Sequence, residues 1–225
     1  MRLSDKITPE LLRIKGELEK LQKLRIKVGI QGDADSEILT IARVHEYGAV
    51  IHAKQAKNLC IPINKESYDK SPRDFPDLFF IRSDKGYLLG VVEDKTKKRR
   101  RKTKQHSDYG VDDGGLKILF LLLPSVTIPE RSFIRAGYDA NRDRLSEVCL
   151  DAVSDIIRGQ KDAWAAAEWI GGKAVDLIHE FMSDASNFQP KGKIQRERNS
   201  GTADNPLVVT KRLFNSVTWK VEEGD

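Results

Sequence analysis

Side chains able to bind metals or act as nucleophiles are scarce in this chain. It holds two cysteines and four histidines in 225 residues. Cys60 falls inside an apolar, strand-like run and Cys149 on the apolar side of a helical pattern, so both read as buried free thiols, and their separation matches no metal-ligand spacing. The histidines are dispersed at positions 45, 52, 106 and 179. His45-Glu46 and His179-Glu180 resemble the start of a zinc-protease helix, but a second imidazole four residues on is required, and those positions hold Ala49 and Ser183. Phosphate-cradling and dinucleotide loops are missing too, since Gly114-Gly115 precedes an apolar run and Gly171-Gly172 lies within a helical pattern. Asp112, Asp113 and Asp139 are acids that nothing fixes relative to one another. No catalytic residue, metal site or cofactor is therefore expected, and the chain does not read as an enzyme. Long apolar runs are also absent: the longest, Ile118 to Ile128, is broken by Pro124 and falls far short of the roughly 20 residues of a membrane span. The first 25 residues are studded with charge and lack the apolar core of a signal peptide. The expectation is a protein made in the cytoplasm with no membrane partner.

Charge is what the chain has in abundance, at 32% of residues. Its distribution is uneven. Lys95 to Lys104 holds eight basic residues in ten, so in a chain of net +5 the remainder sums to −3. Within that run Lys97, Lys98, Arg99, Arg100, Arg101 and Lys102 are candidates for contact with DNA or an acidic partner, through phosphate electrostatics without sequence preference. No aromatic interrupts the run, so base stacking is not indicated.

Apolar periodicity organises the rest. Thr8-Pro9-Glu10 opens a helix with Leu11, Ile14, Leu18 and Leu21 on one face. Arg25 to Ile30 alternates as a strand, and Ser36 caps a short helix that Gly48 stops. Leu59 to Ile63, Leu78 to Arg82 and Tyr87 to Glu93 read as strands, the last two joined by a Ser83-Asp84-Lys85-Gly86 hairpin turn. Leu116 to Leu123 reads as a buried strand. The pattern changes at Ile128 to Arg135. Pro129 closes a strand at Ile128, and Ser132 is the predicted N-cap of a helix starting at Phe133 and running to Arg158, about 36 Å at 1.5 Å per residue. Asp162 caps a second long helix, in which Gly171-Gly172 implies close approach of another backbone. Lys65 to Ser71 and Ser186 to Asn205 read as mobile loops, and the chain closes with a helical turn near Leu213 and a strand over Val217 to Val221.

Three separated stretches together resemble a known family. Val28-Gly29-Ile30 with Ala42-Arg43-Val44-His45-Glu46-Tyr47-Gly48 is similar to its Val-Gly-Ile strand and Ala-x-x-x-Glu-(Tyr/Phe)-Gly. Ile128-Pro129-Glu130-Arg131-Ser132-Phe133 is similar to its Ile-Pro-x-Arg-Pro-Phe, with Ser132 in place of the second proline. Asp204-Asn205-Pro206-Leu207-Val208-Val209-Thr210, then Arg212-Leu213, is similar to its Asn-Pro-Leu-(Val/Ile)-Asp-Thr-Gly-x-Leu. The family is the tail-completion, or head–tail joining, proteins of tailed bacteriophages. The resemblance implies an α+β domain with a curved, mainly antiparallel sheet packed on two long helices, similar to tail terminators. It would be one domain over residues 1–225, with a β-hairpin and basic loop inserted at about 65–115 and a flexible loop at about 186–205. The structural residues it implies are Gly29, Glu46, Tyr47, Gly48, Pro129, Arg131, Phe133, Pro206, Leu207, Thr210 and Leu213. The implied function is a ring of copies, six in the family, that completes the tail, meets the head connector or neck proteins, and surrounds the DNA channel in the virion. A tail-terminator ring capping the tail tube, and a nucleic-acid-binding protein acting through the basic loop, are the alternative readings.

Overall fold

Proline in the first turn and Leu18 and Leu21 on one face produce α1 (Pro9–Lys23), which runs directly into β1 (Leu24–Gly29). Then come α2 (Ser36–Tyr47), β2 (Ala49–His52), β3 (Leu59–Pro62), β4 (Phe79–Arg82), β5 (Leu88–Glu93), β6 (Leu116–Leu123) and β7 (Ser125–Ile128). The second half is mainly helical: α3 (Arg135–Ala140), α4 (Arg142–Ile157), α5 (Ala163–Ser183), α6 (Lys193–Arg198) and α7 (Arg212–Asn215), closed by β8 (Thr218–Glu223). This computed structural model describes residues 9–32, 34–94, 109, 115–198, 205–207 and 211–224. The architecture is α+β, and every strand pairing among the described residues is antiparallel.

The chain divides into two compact units. The first comprises Met1–Gly48, Pro129–Lys191 and Gly201–Asp225 and is built around α5. Six of the buried positions of α5 are alanine, glycine or valine, which lets neighbours approach closely on several sides. β1 and β8 pair with Ile26 opposite Val221 and Val28 opposite Trp219, and both strands pack on α5. At one end of α5, Val175, Ile178 and Met182 share a core with Ala42, Phe133, Phe188, Leu207, Leu213 and Val217. Towards its start, Ala166 and Ile170 pack with Ala152 and Ile156 of α4 and with Leu18 and Leu21 of α1. The Glu17 carboxylate accepts from the backbone N–H of Ala163 at 2.8 Å, and Asp162 caps the helix by accepting from Ala165 at 2.8 Å.

The second unit comprises Ala49–Ile128 and Gly192–Ser200. Its sheet has four strands in the order β3-β6-β5-β4, with a bulge at Gly90/Val91, and β2 and β7 form a separate two-stranded ribbon. Leu89, Val91 and Leu121 are its apolar centre, onto which Ile194 of α6 packs. The hairpin from β4 to β5 turns through Gly86 at φ 83°, as the Ser83 to Gly86 pattern predicts, with Ser83 accepting from the Gly86 N–H at 2.8 Å.

Several expectations are corrected. Among the described residues three separate sheets stand where a single curved sheet was expected. The helix after Pro129 begins at Arg135 rather than Phe133, and it is interrupted at Asn141, whose side chain donates back to the Gly137 carbonyl at 2.9 Å. Asp35 rather than Ser36 caps α2, accepting from Glu37 at 3.0 Å. Lys65 to Ser71 contains a 3₁₀ turn, Lys65–Ser67, pinned by the buried Ser67 hydroxyl donating to the Leu119 carbonyl at 2.7 Å. Ser186 to Asn205 includes α6 and the buried Phe188 and Asn205; residues 199–204 lie outside the described residues. Both cysteines are half-buried free thiols, each pushed up in pKa by burial. Close packing at Gly171 comes from a side chain and not from another backbone: a Cβ there would stand 2.4 Å from Cδ1 of Trp219. Among the described residues no helix is long and apolar enough to cross a membrane.

Candidate functional site

Helical spacing sets the site's central carboxylate. Ile38, Ala42 and Glu46 recur every four residues on the buried face of α2, so Glu46 is carried inward with its apolar neighbours. Its side chain is only 7% exposed. Buried there, a carboxylate needs several donors, and the first turn leading into α3 supplies them. Oε2 accepts from the backbone N–H of Phe133 at 2.9 Å and of Ile134 at 3.1 Å. Oε1 accepts from the Ser132 hydroxyl at 2.7 Å, the Arg135 N–H at 3.0 Å and Arg135 Nε at 3.1 Å. Burial pushes the Glu46 pKa up, but the bonds from Ser132 and from the Arg135, Ile134 and Phe133 N–H groups outweigh it and hold the carboxyl below its ordinary value. Ser132 is not the N-cap that was expected, since Ile134 holds that position with no side-chain cap bond, but its hydroxyl donates to Glu46 and accepts from the Ala136 N–H at 3.2 Å.

Arginines lock the two segments further. Arg135 Nη2 donates to the Glu46 carbonyl at 2.7 Å and to Glu130 Oε1 at 2.8 Å, and its guanidinium lies 4.6 Å from the centre of the exposed Tyr47 ring. Arg131 is buried; its N–H donates to the His45 carbonyl at 2.7 Å and its Nε to the Gln189 carbonyl at 3.0 Å. Burial, then the nearby Arg131 charge, lowers the His45 pKa, and His45 Nδ1 is buried with no hydrogen-bond partner among the described residues.

The third motif joins from the C-terminal side. Asn205 is buried, and its Nδ2 donates to the Met182 carbonyl at 2.7 Å and the Ser183 carbonyl at 3.2 Å, filling acceptors that the end of α5 leaves open. Its Oδ1 accepts from the Leu207 N–H at 2.9 Å, folding Pro206-Leu207 into the core beside Phe133 and Leu213. Gly29 has φ 145° and Gly48 φ 69°, and a Cβ on Gly29 would stand 3.4 Å from Cδ1 of Ile134.

The structure thus brings Glu46, Arg131, Phe133, Leu207 and Leu213 into one assembly and leaves Tyr47 at its surface. Thr210 and Lys97 to Lys102 lie outside the described residues. Sequence reasoning missed Arg135 and Asn205 as site residues. Only Asn205 carried a signal, as the first residue of the Asn-Pro-Leu-like stretch and a polar turn former directly before proline. The assembled groups bind one another and hold the fold together. Among the described residues no group of three or more His, Cys, Asp or Glu side chains is placed to hold a metal ion. Comparison of the chain with protein-family models, with curated proteins and with solved structures finds no match in any of the three.

Proposed function

We propose that this chain is a structural protein of a tailed-phage neck. In this reading it assembles as a ring, completes the tail, and presents a surface to the head connector around the DNA channel. Assembly takes place in the host cytoplasm and the product resides in the virion. One observation supports the reading above the others: the stretches that resemble the family are far apart in sequence, yet the first two are hydrogen-bonded to each other and all three contribute to one core. Glu46 from the first accepts from Ser132 and Phe133 of the second, and Leu207 and Leu213 of the third belong to the same core cluster as Phe133. Chance matches to short patterns have no reason to share one core. A structural role is also consistent with a site whose polar groups bind the protein's own backbone.

The test is electron microscopy of particles from a phage or prophage lacking this gene, with the wild-type gene on a plasmid as control. The expected result is DNA-filled heads beside separate tails of normal length, joined again on complementation. Abnormally long tail tubes would move the assignment to a tail terminator. Normal joined virions would overturn the proposal and leave the basic run and nucleic acid as the better lead.

A further inference from the structure

In the first unit the sheet is narrower than the helical layer it covers. Strands lie about 4.8 Å apart and packed helices about 8–10 Å apart, so two strands cover about one helix. β1 and β8 cover α5. Beside them is an open apolar trench of about 380 Å³, walled by Ile26 and Val28 of β1, Tyr138 of α3, Leu145 of α4, and Ala174 and Ile178 of α5. No residue of β8 lines it, so it runs along the outer side of β1, which pairs with no second strand among the described residues.

The second unit has the converse feature. β2 and β7 pair only with each other among the described residues, Ala49 opposite Ile128 and Ile51 opposite Val126. Residues opposite one another in a ladder share a face, so Ala49, Ile51, Val126 and Ile128 form an apolar one. Ile51 on that face is 42% exposed. A two-stranded ribbon is marginal in water and needs a further partner.

We infer that the ribbon of one copy lies along β1 of a second copy, extending its sheet to four strands and setting Ile51 and Val126 into the trench. This rests on the ring reading above and names the surface through which the ring forms. Net charge favours this occupant. The second unit carries nineteen basic and eleven acidic residues, a net of +8 that equals the eight basic residues of Lys95 to Lys104, a run outside the described residues, and this leaves −3 for the first unit of a +5 chain. Second unit on first attracts, and second on second repels. Such a contact is head-to-tail, the kind that closes into rings. A short strand buries much less than the roughly 1,600 Å² of a standard interface, so ring closure strengthens each contact through effective concentration.

The test uses two variants of the full chain: Ile51→Asp with Val126→Asp, which spoils the ribbon, and Leu145→Asp, which spoils the trench. Sedimentation velocity gives the mass, and tryptophan-monitored unfolding and circular dichroism check the fold. Ile51→Asp alone and Tyr138→Arg, at exposed positions, replace either variant if it fails to fold. Wild type is expected to run as a closed ring and each variant as a single copy. Mixed equally, the two variants are expected to give a dimer and nothing larger, because each supplies the surface the other lacks. A ribbon variant that keeps the wild-type mass would overturn the inference while leaving the ring intact, and would give the trench to residues 1–8 or a different protein. Because this open dimer lacks ring closure it is expected at high protein concentration, and a mixture that stays at single-copy mass at the highest concentration reached, or that forms anything larger than a dimer, would also overturn it. Wild type at single-copy mass at every concentration would overturn the ring reading itself.

Discussion

Replacing Glu46 by glutamine tests the central carboxylate without changing its shape. The amide has one oxygen where the carboxylate has two. With that oxygen at the position of Oε1 it keeps the Ser132 and Arg135 donors, and the –NH₂ then meets the N–H groups of Phe133 and Ile134 head-on. The first of these N–H groups is buried and the second partly so. Leaving a buried donor unsatisfied costs about 1–3 kcal/mol, so Glu46→Gln is expected to lose about 3 kcal/mol in all. That is a large share of the 5–15 kcal/mol typical of a domain, and in a chain of this size it lowers Tm by roughly 6–12 °C. All three tryptophans, Trp164, Trp169 and Trp219, belong to the first unit, so their fluorescence during urea unfolding reports on the unit that holds Glu46. Glu130→Gln is the control. It removes an exposed partner of the same Arg135 and is expected to change stability by at most about 0.5 kcal/mol. If Glu46→Gln also falls within about 0.5 kcal/mol of wild type, the claim that this carboxylate holds α2 to the start of α3 is refuted.

The adjacent glycines of α5 should respond with opposite signs. Gly171→Ala drives a Cβ to 2.4 Å from Trp219 Cδ1 and should cost about 1–3 kcal/mol with a change in tryptophan emission, whereas the Gly172 Cβ meets only ordinary contacts at 3.8 Å. Gly172→Ala should therefore gain about 0.5–1 kcal/mol from helix propensity, and equal effects in thermal melts would contradict the Trp219 packing. Asn205→Ala removes both the cap on α5 and the acceptor for Leu207 and should cost about 2–3 kcal/mol in the same unfolding assay; a neutral result would mean that the third motif is not anchored there. Acid should destabilise the first unit in two stages, because His45 and Glu46 both have lowered pKa values in the folded state. Stability that is complete above about pH 6.5 falls below it as the unfolded imidazole takes up protons, and falls again below about pH 4.3 as Glu46 is protonated. Urea midpoints measured across pH should show His45→Asn flattening the first stage and Glu46→Gln the second. Unchanged profiles would rule out these two groups as the source.

How much was legible in the sequence depends on whether the determining interaction is local. Leu18 and Leu21, Asp162, Gly86 and the apolar run of β6 identified their elements correctly, because helix periodicity, capping and a positive-φ turn act within a few residues. β2 was missed: three apolar residues in a row followed by His52 give no period, and only pairing with β7 makes them a strand. The break at Asn141 was hidden for a similar reason, since helical periodicity continues across it.

By itself, the sequence determined the longer elements and their order, the concentration of charge in one run and the positions of the family-like motifs. These follow from propensity, hydrophobic period and composition, which are properties of short stretches. Tertiary structure alone decided that Glu46 serves the first turn of α3, that Gly171 makes room for Trp219, and that the strands among the described residues divide into three sheets. Each joins residues tens of positions apart or more, and a buried donor or a close approach is satisfied by whichever partner the fold delivers.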